Sequence, residues 1–169
     1  MKRRFFIICL LVIAFAFNAE AQVEKLQAFF IYNFTKYIEW PPDYQSGNFE
    51  ILVLGNSTID SYLKEIALSK KVGNQSIEIK KISSAGEISK CHILFISKEK
   101  SGELQNVISK IGSNSTLIIT EKDGLASMGA AINFVIISDK QKFELNKRNV
   151  TKYGLKINNQ LDGLAIIVN

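Results

Sequence analysis

The chain has one histidine, one tryptophan, two prolines and two cysteines in 169 residues. A single histidine, His92, excludes a zinc centre built on imidazoles, and Cys9 and Cys91 are too few for a thiolate cluster or a disulfide scaffold. Two prolines and ten glycines leave no collagenous or low-complexity tract. Positive charge is thinly spread. The net formal charge is +5, and beyond residue 21 basic residues accumulate only as the pairs Lys70-Lys71, Lys80-Lys81 and Lys147-Arg148. Such pairs are ordinary solvated surface, so nucleic acid is not an indicated partner. Catalytic signatures are missing too: there is no G-x-S-x-G elbow, no G-x-G-x-x-G and no Walker Gly-Lys pair. Cys91 and His92 are adjacent on a predicted strand and point to opposite faces, so they form no dyad.

What is present begins with a leader. Lys2, Arg3 and Arg4 precede an apolar run from Phe5 to Phe17, and Ala19-Glu20-Ala21 is an A-x-A cleavage pattern. Residues 1–21 therefore read as a secretory signal peptide cleaved after Ala21. Asn18 and Glu20 stop the run short of the roughly 20 apolar residues that cross a membrane. The mature chain, 22–169, reads as one exported domain with a small positive excess of three charges. Cys91 is its only cysteine, either buried as a small hydrophobe or free to pair two chains as a homodimer.

Residues 23–40 put Leu26, Phe30, Phe34, Tyr37 and Ile38 on one face at helical spacing, predicting an amphipathic helix ended by Pro41-Pro42. Short β-branched and aromatic runs follow at 49–54, 76–82, 92–96, 116–120 and 131–137. Helical spacing lies between them at Ile59-Leu63-Ile66 and Leu104-Val107-Ile108-Ile111. The alternation predicts an α/β single domain with a mostly parallel central sheet flanked by helices. Ser138-Asp139-Lys140-Gln141 is too short for a crossover, so 132–137 and 142–145 form an antiparallel hairpin at the C-terminal edge, with Asn133 and Glu144 facing each other. Residues 146–165 read as one or two short helices broken at Gly154 and Gly163.

No catalytic set emerges, so the chain reads as a non-enzyme without cofactor or metal. His92 reads as a strand-end structural residue, and a serine hydrolase using it is the weakest reading. One segment has the physics of an anion site. Gly55, Asn56, Ser57 and Thr58 lie between a strand and the start of a helix, whose free N–H groups and dipole favour phosphate or carboxylate. The same residues are first of all the ordinary chemistry of an N-cap. On the first helix, Phe29, Ile31, Tyr32 and Trp40 widen the apolar sector beyond one packing contact, which reads first as a wide stripe buried wholly in the core and, alternatively, as a face partly exposed to a partner.

The string from Ala28 to Pro41, with Asn33, Phe34, Lys36, Tyr37, Glu39, Trp40 and Pro41 in register, resembles the opening signature of the YfiR/HmsC-like family of periplasmic regulators. Val53 to Ser57, Cys91 to Ile96, Gly129 to Phe134, Phe143 to Asn146 and Gly154 to Ile157 follow in the family's order. The resemblance implies a non-enzymatic periplasmic protein that inhibits an inner-membrane diguanylate cyclase, or a histidine kinase, through its periplasmic sensor domain. That role governs cyclic di-GMP and biofilm formation. Phe29, Asn33, Lys36, Glu39 and Trp40 are the candidate partner-binding residues. The alternative is a periplasmic small-anion or nucleotide receptor using Gly55 to Thr58.

Overall fold

A computed structural model describes residues 22–169, so the expected leader and its cleavage point lie outside the described residues. Helix α1 runs over 22–34 and packs Phe34 edge-on against Phe143 at 4.9 Å and against Phe134 at 6.1 Å. It does not continue to the prolines. The chain tightens after residue 34, where the Thr35, Lys36 and Tyr37 amides each donate to the carbonyl three residues back. The Thr35 hydroxyl also donates to the Tyr32 carbonyl at 2.7 Å, an alternative to helical continuation. Trp40 precedes Pro41 and is confined to extended backbone. Strand β1 (Ile38–Glu39) therefore replaces the expected last helical turn, and β9 (Lys156–Ile157) pairs with it antiparallel. Ile38 still reaches the core, but from a strand.

The main sheet has eight strands in the order β10-β8-β7-β6-β5-β2-β4-β3, with β10 (Ile166–Val168) and β8 (Lys140–Asn146) at one edge and β3 (Lys71–Val72) at the other. Its parallel centre consists of β2 (Phe49–Leu54), β4 (Gln75–Ile82), β5 (Ile93–Ile96), β6 (Leu117–Thr120) and β7 (Ile132–Ile137). Strands β2, β5 and β6 are buried nearly throughout, which is why their sequences show no alternation. From β2 the chain crosses to β4 through α2 (Ile59–Ala67), and from β5 to β6 through α3 (Leu104–Ile111). These crossovers move in opposite directions along the sheet, so the right-handed rule puts α2 and α3 on opposite faces. The order of strands reverses at β2 and β5, which marks a topological switch point.

The expected antiparallel hairpin is there, with two differences. Its turn is only Ser138-Asp139, both at positive φ (50° and 57°), and β8 extends over Lys140–Asn146. Strand β10 (Ile166–Val168) adds in parallel outside β8, so the hairpin is not the outermost pair. A second hairpin closes the other edge. Strand β3 (Lys71–Val72) turns into β4 through Gly73-Asn74, and Gly73 takes φ +56°, as the first position of a type II′ turn requires. Between β8 and β10 only α4 (Lys147–Lys152) is α-helical, capped by the Asn146 side chain, which accepts the Asn149 N–H at 3.1 Å.

Candidate functional site

Two surfaces hold the residues singled out by the sequence. The first is the outer face of α1. Phe29 is 56% exposed and lines a groove of about 250 Å³ with Tyr32, Tyr62 and Ile66, flanked by Lys25 and Lys70. An aromatic side chain left in water beside two tyrosines and an isoleucine is an unfilled apolar contact. Asn33 ends the helix beside it: its amide donates to the Phe29 carbonyl at 3.0 Å, and its oxygen accepts from Lys36 Nζ at 2.7 Å. Lys36 Nζ also lies 5.0 Å from the centre of the Tyr32 ring. Glu39 is on β1, exposed, with Lys156 Nζ at 3.8 Å.

Trp40 does not join this surface. It is 5% exposed, donates Nε1–H to the His92 carbonyl at 3.1 Å and meets Phe49 edge-on at 5.0 Å. Once the chain leaves the helix at residue 34, Trp40 falls on the inner side of a strand segment, so its indole is core and not a docking residue. His92 sits in the same cluster as the structural residue expected. Its Nδ1 accepts the Glu50 N–H at 3.0 Å, its Nε2–H donates to the Tyr44 carbonyl at 2.7 Å, and its ring stacks on Phe49 at 4.2 Å. Burial pushes its pKa below the usual imidazole value. With both ring nitrogens engaged, His92 has no free site for a general base. Cys91 is 1% exposed and burial pushes its thiol up to about 12, so it does not pair chains through a disulfide.

The second surface is a cleft of about 1000 Å³ outside the carboxyl ends of the parallel strands, at the switch point. Gly55 sets its geometry. It has φ +101°, and a Cβ there would stand 2.2 Å from Ser97 Oγ and 2.6 Å from Lys100 Cγ, so only glycine lets the loops after β2 and β5 meet. Helix α2 begins at Ile59, with Thr58 at the N-cap position, and Ser57 Oγ accepts the Ile59 N–H at 3.2 Å. Four donors just before the helix meet carboxylates from elsewhere in the chain. Glu24 of α1 accepts the Ser57 hydroxyl at 2.7 Å, the Thr58 N–H at 3.2 Å and the Thr58 hydroxyl. Glu99 accepts the Asn56 N–H at 2.6 Å. The helix start thus holds anions supplied by the protein itself, and an external anion would have to displace them.

Sequence reasoning missed Glu24, Glu99, Gln27, Ser97 and Glu121, all of which line this cleft. Glu121 follows β6 and accepts the Lys98 N–H at 2.8 Å and the Gln27 amide at 3.3 Å; burial raises its pKa above the usual carboxylate range. The only available signal was topological: each lies at a strand's carboxyl end or on the first turns of α1. The facing pair Asn133 and Glu144 lies deeper in the sheet, joined at 2.9 Å, with the Thr120 hydroxyl donating to Asn133 Oδ1 at 2.7 Å.

Comparison with solved structures relates the fold to the ABC domain in complex with L-Trp from Streptococcus pneumonia, at 15% identity and a TM-score of 0.51. The alignment covers 71% of this chain and 55% of that one, so the chain spans about half the length of that structure, and the likeness is one of fold. No curated protein matches the chain. A match to the family DUF4154, described as YfiR/HmsC-like, covers residues 24–166, from the glutamate that caps α2 to the outer strand of the sheet. That family is associated with periplasmic regulation of cyclic di-GMP signalling. Over nearly its whole described length, the chain belongs to the YfiR/HmsC-like family.

Proposed function

We propose that the protein is exported, loses residues 1–21, and acts in the periplasm by binding the sensor domain of an inner-membrane diguanylate cyclase or histidine kinase and holding that enzyme inactive. Phe29 carries this reading, because an exposed ring in an apolar groove between α1 and α2 is surface that a binding partner would bury. Family membership supports a regulator acting by protein contact. A second copy of the chain would be another occupant of the same face.

Affinity purification of the tagged mature protein from gently solubilised membranes, with mass spectrometry of the eluate, tests the proposal. The expected result is a membrane protein bearing a periplasmic sensor and a cyclase or kinase domain, together with altered cyclic di-GMP or kinase output on deletion. Recovery of only the chain itself, with unchanged output, refutes it. The anion-receptor reading is less favoured by the geometry, since Glu24 and Glu99 already hold the donors it needs.

A further inference from the structure

The cleft at the switch point is lined by the carboxylates of Glu24, Glu99, Glu121 and Asp123 against one amine, Lys98. Among the described residues none of these four carboxylates is ion-paired. Glu24 and Glu99 serve the backbone at the start of α2, whereas Glu121 bridges α1 and the end of β5. In the same lining, two buried polar atoms have no partner: Gln27 Oε1, which can only accept, and Ser97 Oγ, a hydroxyl that can accept or donate, on residues 3% and 2% exposed. The Gln27 amide protons are already directed at Glu121 and Gln141. With Gln27 Oε1 unpaired and four carboxylates without an ion-pair partner, the cluster has more acceptors than donors even when the Ser97 hydroxyl donates, which is costly for buried polar groups. The rest of the lining includes apolar Val23, Phe134 and Ile136.

We propose that this cleft binds a small organic cation, with a primary ammonium seated among Glu121, Gln27 Oε1 and Ser97 Oγ and an apolar body against Phe134 and Ile136. An ammonium brings three donors and one positive charge, matching two neutral acceptors and a carboxylate. A carboxylate or phosphate would instead face four like charges. The position, outside the carboxyl ends of the strands where their order reverses, is where doubly wound sheets hold ligands. Burial raises the pKa of Glu121, which shares the cleft with Glu24, Glu99, Asp123 and Lys98, with Lys81 on the Asn56-Ser57 rim, so affinity should weaken as acid neutralises Glu121.

Calorimetry on the mature chain with phenethylamine, phenethyl alcohol and hydrocinnamate tests the charge preference on one apolar body. The amine is expected to bind at least about tenfold more tightly than the alcohol, and the carboxylate more weakly than either. Glu121→Gln and Ser97→Ala should each cost about tenfold. The rim substitution Asp123→Asn, at an exposed position, should weaken the amine alone and by less. Phe29→Ala should leave amine binding unchanged, which separates this site from the docking face. Equal or tighter binding of hydrocinnamate, or no heat from any of the three at millimolar concentration, overturns the proposal.

Discussion

Phe29→Ala should weaken partner binding by up to about a hundredfold while leaving the fold nearly as stable as before. A phenylalanine side chain offers roughly 200 Å² for burial, and Phe29 is 56% exposed, which leaves about 110 Å² for a partner to cover. At about 25 cal/mol per Å² that contact is worth about 2.8 kcal/mol, two factors of ten in Kd. The assay is calorimetry between the mature chain and the purified sensor domain recovered with it, alongside urea unfolding of both forms. Stability should shift by less than about 1 kcal/mol, because most of the ring already stands in water. Trp40→Ala is the instructive contrast. It removes a buried ring and the Nε1–H donor to the His92 carbonyl, at a cost of about 3–5 kcal/mol, so any binding it loses follows from a loosened core. A Phe29→Ala protein that folds normally and keeps its affinity within about threefold refutes the α1 groove as the docking face.

His92→Ala should cost about 2–5 kcal/mol by orphaning the part-buried Glu50 N–H and the buried Tyr44 carbonyl; urea unfolding within about 0.5 kcal/mol of wild type would contradict the clamp assigned to the ring. Since burial holds His92 below its unfolded pKa of 6.5, the unfolded chain takes up the proton first. The His92 contribution to stability should be whole above about pH 6.5, decline as pH falls, and level off below the folded pKa, a slope that His92→Gln should flatten. Replacing Ser138-Asp139 by Asn-Gly suits the two positive φ values and should add about 0.5–1 kcal/mol, read as a rise in Tm of about 1–4 °C; an unchanged or lower Tm argues against strain in this turn. In the mature native chain Cys91 should resist a disulfide-exchange reagent and react fully once unfolded, whereas rapid native labelling would place the thiol at the surface.

Local pattern and long-range contact account separately for what the sequence revealed. The buried strands at 49–54, 92–96 and 116–120 announced themselves because burial on both faces demands continuous apolar runs. Helix α1 was legible as far as residue 34, but its periodicity continued through Ile38, and the Thr35 hydroxyl, the constraint before Pro41 and the partner strand at Lys156–Ile157 together make β1 the better state there. Strands β9 and β10, at two and three residues, exist only through such pairing and leave no pattern of their own.

The site divides in the same way. Gly55 to Thr58 read as a strand-to-helix junction with donors to spare, and that junction is present, but which groups meet the donors depends on contacts across the fold. Glu24 lies 34 residues before Thr58 and Glu99 43 residues after Asn56, and neither has a local reason to be there. By supplying carboxylates to their own helix start, these residues reverse the electrostatic sense of the cleft from one that would hold an anion to one that repels it. Phosphate and hydrocinnamate should therefore bind the Glu24→Gln chain more tightly than the wild-type chain, because that substitution removes negative charge beside the α2 N–H groups. Calorimetry with each anion decides it: unchanged weak binding in the variant would mean that the α2 terminus holds no anion even with this charge removed.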